Sequence, residues 1–362
     1  MYRRFFILAA AFLPATVRAQ PGAATPEREA ARRLAVRRTV ETQILPGLAG
    51  FADAAQGLAN ATQALRDAPG DATLAAAREA WVAASLAFQR IRHLRFGPMD
   101  SFDHGFRISI FPDTRNATGR ELLELLRGAD PDSITEDAFR RGRVAAQGLP
   151  AAERLLFDGD AARLLTPEEH FRRLLLAAIG RNLAGIAAEM QRAWQAGDPP
   201  FARQLEGAEG AIYRDAGEGL LALFKSLHGG IDFLADRQLA RTLGTSARDA
   251  RPRSAEAWRS GQSMALALAS LKALADLQDG AVAPLLRQAD ARLAAEARDV
   301  MATALRQARE VGPSLEAAVA TPQGRAAVES LVRTLGLLRR LLTERAAPAI
   351  GLPAGFNAMD GD

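Results

Sequence analysis

Four histidines (His93, His104, His170 and His228) and no cysteine limit the chemistry open to this 362-residue chain. No two histidines stand four residues apart, so no helical face offers a two-imidazole metal pair. Disulfides and zinc–thiolate sites are excluded, and there is no H-E-x-x-H, G-x-S-x-G or phosphate-binding glycine loop. Polar residues gather instead in four stretches. Asp100-Ser101-Phe102-Asp103-His104, followed by Phe111-Pro112-Asp113, joins carboxylates to an imidazole. Such donors suit iron or manganese, and the competing reading is a solvated loop whose aspartates cap turns. In Gly148-Leu149-Pro150-Ala151-Ala152-Glu153, Pro150 sets a helix start. Glu153 then falls in the first turn, where the helix dipole favours a carboxylate, and a plain capped helix is the alternative. Ser254-Ala255-Glu256-Ala257-Trp258-Arg259-Ser260 reads as the capped opening of a long helix. Arg259 is placed either to hold a buried carboxylate bidentately or to pair with Glu256 one turn back. Gly355-Phe356-Asn357 through Asp362 combines an aromatic anchor with turn formers, or is a frayed tail.

The elements that must position these residues are helices. Alanine and leucine dominate a chain with only 6% aromatic residues. Val328, Leu331, Val332, Leu335, Leu338 and Leu342 repeat at helical spacing, as do Met264, Leu268, Leu271, Leu274 and Leu277. The pattern predicts long helices over 26–66, 72–95, 166–195, 213–243, 253–278, 281–311 and 322–345, with a kink at Pro46. Thr25-Pro26, Thr166-Pro167 and Thr321-Pro322 are expected helix starts. Only Phe106 to Phe111 alternates like a strand, and without a partner it is expected to be an extended loop. The expected fold is all-α, two antiparallel helical bundles packed together, over roughly 26–160 and 166–345, with a tail 346–362.

Residues 1–19 read as a signal peptide: Arg3 and Arg4, the apolar run Phe5 to Leu13, and Val17-Arg18-Ala19 as cleavage site. The paired arginines suit either a general secretory or a twin-arginine signal. Removing that segment, with its three arginines and no acids, takes the formal charge from +4 to +1. Arginines and acids alternate along the rest of the chain, which lacks the basic footprint of a nucleic-acid binder. No later stretch is long and uncharged enough to span a bilayer.

Taken in order, these segments resemble the imelysin-like family of bacterial envelope proteins. The resemblance rests on Trp81, Arg95-Phe96-Gly97-Pro98, Phe111-Pro112-Asp113, Gly148 to Phe157, Glu256-Trp258-Arg259-Ser260 and the terminal Gly-Phe-Asn…Asp-Gly-Asp. It implies two helical bundles enclosing a site, a link to iron acquisition or iron-regulated expression, and the label of M75 peptidase. That label rests on a Gly-x-His-x-x-Glu motif. Here Gly148 and Glu153 fit, but Pro150 stands where the histidine belongs, and proline offers neither a metal ligand nor a proton carrier.

The expectation is therefore a periplasmic or cell-envelope binding protein, not a working peptidase. Its inter-bundle cleft is expected to hold a small ligand, with iron or an iron chelate as the candidate. Glu153 and Asp113 are the expected anionic ligands or acceptors, Arg259 a carboxylate clamp, and Asn357 a residue pinning the tail over the cleft. Glu153, His104 and Asp103 form the candidate metal set. The alternatives are a metallopeptidase using Glu153 as base or ligand, and a scaffold that meets an envelope partner through an apolar helix face.

Overall fold

The computed structural model describes residues 25–100, 103–207 and 212–353. The expected leader 1–19 and Asn357 lie outside the described residues, as do Ser101 and Phe102. Among the described residues the regular structure is helical, and the segment from Phe106 enters no strand. It lies partly in a short helix, His104–Ile108, and then runs extended.

The principal helices are α1 (Pro26–Thr39), α2 (Leu45–Asp67), α3 (Asp71–Gln89), α4 (Ala117–Gly128) and α5 (Leu149–Phe157). They continue with α6 (His170–Gln195), α7 (Ala216–Asp232), α8 (Ser263–Leu277), α9 (Ala283–Ala289), α10 (Ala291–Glu310) and α11 (Pro322–Leu341). Thr25 and Thr321 cap their helices, each Oγ1 accepting a backbone N–H three residues on. Thr166 does not; a short 3₁₀ turn, Pro167–Glu169, precedes α6.

Proline shapes the long helices in a regular way. A π turn, Val40–Ile44, precedes Pro46; another, Gln278–Val282, precedes Pro284; a third, Leu342–Ala346, precedes Pro348. Proline lacks an N–H, and its ring strikes the carbonyl four residues back, so the chain widens by one residue and continues. The kink expected at Pro46 is this widening.

In the first bundle α2 packs along α3 and α6, with α5 laid across α3 and α6. Gly180 allows the closest approach: a Cβ there would lie 2.5 Å from Thr62 Oγ1 and 3.1 Å from Ala59 Cα. Phe51 and Phe88 meet between α2 and α3 with ring centroids 5.4 Å apart, worth about 0.5–1.5 kcal/mol beyond their burial. In the second bundle α7, α8, α10 and α11 pack together, and α1 crosses over to α7. The bundles join where α8 meets α3. The division expected at 160–166 thus falls inside the first bundle, because α6 lies on α2 and the chain leaves that bundle only after Gln195.

One expected helix start is wrong. Residues 253–262 do not open the helix to 278; they form a 3₁₀ turn, Pro252–Ser254, then a looped turn, and α8 begins at Ser263. Ala257 takes a left-handed φ of 56° and Gly261 one of 69°, which no α-helix accommodates. Ser254 caps no helix there; its hydroxyl donates to the Arg251 carbonyl.

Candidate ligand cleft between the bundles

A cavity of about 290 Å³ lies between the bundles. One wall is a face of α3, where Trp81, Ser85 and Gln89 recur every fourth residue. Opposite it come the 253–259 turn and Leu266 of α8. The extended segment from Ser109 and the start of α5, with Pro150, Glu153 and Arg154, close the sides. The local folding explains this convergence. Trp81 donates its indole N–H to the Leu149 carbonyl at 2.9 Å, tying α3 to the start of α5. Gly148 lets that start press against the preceding segment, since a Cβ would stand 2.5 Å from the Ile108 carbonyl oxygen.

Glu153 is buried, and only its Oε1 is hydrogen-bonded among the described residues. The Ser260 backbone N–H donates to it at 3.0 Å. The Ser260 hydroxyl is also 3.0 Å away, and equally 3.0 Å from the Ala257 carbonyl, so its proton serves one acceptor at a time. Burial holds the Glu153 carboxyl above the usual carboxylate range, against the opposing pull of Ser260 and Arg259, and the charge of Glu256 adds to the rise.

Glu256 does not pair with Arg259. Arg92 Nη1 meets its Oε1 at 2.5 Å and Gln238 Nε2 its Oε2 at 2.5 Å, with Ser109 Oγ at 3.4 Å. Both charged side chains are about nine-tenths covered, and the Arg92 guanidinium lies 4.3 Å over the Phe233 ring. Arg259 instead gives its Nε to Asp158 Oδ1 at 2.6 Å and stacks 4.3 Å over Trp258. It clamps a carboxylate through one bond, and that carboxylate belongs to the chain itself. Asp113 lines the cleft, but its two oxygens take the N–H groups of Ala117 and Thr118 at 2.8 and 2.9 Å. It caps α4, the role of the competing loop reading.

The expected metal set does not assemble. His104 is buried, with Nδ1 3.1 Å from the Pro98 carbonyl and Nε2 3.7 Å from Glu189 Oε2. Asp103 is exposed and lines a different hollow, beside Asp100 and Arg95. Among the described residues no three His, Asp or Glu side chains are grouped to hold a metal ion. Within the cleft, the three carboxylates already have donors around them and arginines as neighbours, a set that does not fit a bare iron cation.

The segments behind the resemblance—Trp81, Phe111 to Asp113, Gly148 to Glu153, and Glu256 to Ser260—thus meet around one cavity, and residues 44–342 match the family model described as imelysin, peptidase M75. The chain belongs to the imelysin family. Two solved structures share the fold. An imelysin-like protein from Psychrobacter arcticum 273-4 is 18% identical, with a TM-score of 0.75 over 91% of this chain and 98% of that one. A protein from Parabacteroides distasonis ATCC 8503, named an iron-regulated protein A precursor, is 14% identical, with a TM-score of 0.70 over 89% and 97%. Comparison with curated proteins gives no match.

For this imelysin-family chain, Glu153, Asp113 and Arg259 all stand at the cleft, although the partners of Asp113 and Arg259 are internal. Sequence reasoning passed over Arg92, Gln238, Asp158, Arg241 and Arg253. Their partners or neighbours in the cleft are mostly far off in the chain, and one arginine among many carries no local mark.

Proposed function

We propose that this protein is a cell-envelope binding or accessory protein whose inter-bundle cleft holds a small ligand without cleaving it. The observation that carries the reading is Pro150. It lines the cleft at the position where the family motif has histidine, beside a Glu153 held by Ser260. A proline ring supplies no ligand or proton relay, so the cavity keeps its shape and loses half of the motif's chemistry. The name of the Parabacteroides relative supports a link to iron-regulated envelope biology, and residues 1–19 support export. No described helix is long and apolar enough to cross a membrane. Among the described residues the large exposed apolar side chains, Leu34, Phe106, Leu123, Ile212 and Leu337, lie on separate segments, which favours ligand binding over an apolar docking face.

Two measurements test this. Cell fractionation of the full-length chain is expected to recover the processed protein in the periplasm, and retention in the cytoplasm with residues 1–19 intact would count against an envelope role. Incubation of the processed protein with a peptide library and added divalent metals is expected to leave the peptides whole. Chelator-sensitive cleavage abolished by Glu153→Gln would establish the peptidase reading instead, which the raised proton affinity of Glu153 favours.

A further inference from the structure

Arginines in the cleft outnumber the anions available to answer them. Arg154, Arg241, Arg253 and Arg259 line it, facing Asp113, Glu153 and Glu256. Each carboxylate already has donors: the start of α4 for Asp113, Ser260 for Glu153, Arg92 and Gln238 for Glu256. Of the four arginines, Arg259 alone is hydrogen-bonded to a carboxylate, that of Asp158. Arg154 donates to the Asn116 amide oxygen and Arg253 lies 5.5 Å over the Trp258 ring. The Arg241 side chain makes no hydrogen bond or ion pair among the described residues. Two hydroxyls in the walls, Ser85 Oγ and Thr118 Oγ1, are buried without a hydrogen-bond partner among the described residues.

Cations gathered around a concavity repel one another and focus their field into it, which favours an anion there. A bare cation would meet like charge. The geometry points to a compact ligand bearing two or more anionic groups, carboxylate or phosphate, with Arg241, Arg253 and Arg154 as its counter-charges and Trp258 and Phe111 against its body. A cavity of about 290 Å³ is at the small end for organic ligands, which excludes a large cofactor. The assignment deepens the binding reading above and rests on it.

The test is calorimetric titration of the processed protein with citrate, with inorganic pyrophosphate, with the uncharged triamide of citrate, and with ferrous and ferric salts alone. Citrate or pyrophosphate is expected to bind, more weakly as salt rises, and the stronger of the two tells carboxylate from phosphate. Arg241→Gln and Arg253→Gln should each weaken that binding about tenfold, the loss of one charge-assisted contact. Neither side chain makes a hydrogen bond that supports the fold, and Arg251→Gln, exposed and outside the cleft lining, should change nothing. Circular dichroism melts confirm that the variants fold. Equal binding of the triamide, unchanged affinity when Arg241→Gln and Arg253→Gln are combined, or no binding of either anion overturns the assignment. Binding of the triamide or a bare metal alone would do so while leaving a binding protein standing; peptide cleavage with no ligand bound would remove both readings.

Discussion

Glu153 is buried and its hydrogen bonds among the described residues fall on one oxygen, so burial makes its carboxyl hold a proton more tightly in the fold than in water. An acid whose proton is held more tightly in the folded state contributes stability that is complete below its ordinary value of 4.5. That contribution is lost as pH rises through the folded-state value. Glu153→Gln keeps an acceptor for Ser260 and removes the charge. It is expected to raise the melting temperature by about 1–3 °C at pH 7.5 and to have no effect near pH 4, read from melts at both values. Arg92 carries the opposite risk. Removing it leaves the largely buried Glu256 side chain with Gln238 and Ser109 as its only donors among the described residues. Arg92→Ala is expected to cost about 3–5 kcal/mol in urea unfolding, and the double variant Arg92→Met with Glu256→Gln far less. Glu153 was legible in the sequence because a proline fixed a helix start and placed it one turn in. The Arg92–Glu256 pair was not, because its members stand 164 residues apart and only the fold brings the turn after α3 to the 253–260 turn.

Helix contacts set the next scale. Gly180 lies where α6 touches α2, and the backbone of Ala59 cannot retreat from an added methyl. Gly180→Ala is expected to destabilise by about 1–2 kcal/mol, since overpacking there outweighs the helix propensity gained. Gly185, five residues on and exposed, has nothing within 4 Å, so Gly185→Ala should stabilise by about 0.5–1 kcal/mol. Chemical denaturation of the two variants separates packing from propensity. At this scale the sequence was readable wherever apolar periodicity ran unbroken, as in α8 and α11. It misled at 253–262, where alanines and a tryptophan at helical spacing cover a turn that depends on left-handed Ala257 and Gly261. Gly261 was the one local hint. Three of the π turns were signalled by their prolines, though a proline in a helical pattern does not distinguish a kink from a widening, and the π stretch Phe233–Ala240 carries no proline.

Across the whole molecule, the two bundles meet near His93, beyond the end of α3. A Cβ on Gly230 of α7 would lie 3.0 Å from His93 Cβ, and Leu274 of α8 borders the same small hollow. Burial lowers the His93 pKa from 6.5 to about 4. The unfolded chain takes up this proton below 6.5 and the folded chain resists until about 4, so stability is complete above 6.5 and declines as pH falls through that window. The loss attributable to His93 is at most about 3 kcal/mol. Unfolding measured from pH 7 to pH 4 is expected to show it, and His93→Gln should flatten that part of the profile. Equal slopes in the two proteins would show that the acid response arises elsewhere.

The three tryptophans occupy very unequal places. Trp194 is sealed in the first bundle and Trp81 is buried in the cleft wall, while Trp258 is only partly covered, lining the cavity between Arg253 and Arg259. The protein therefore carries its own optical probe: the red-edge, iodide-quenchable part of its emission belongs to Trp258. Anything that settles in the cleft should shield that fraction from iodide, with no label attached.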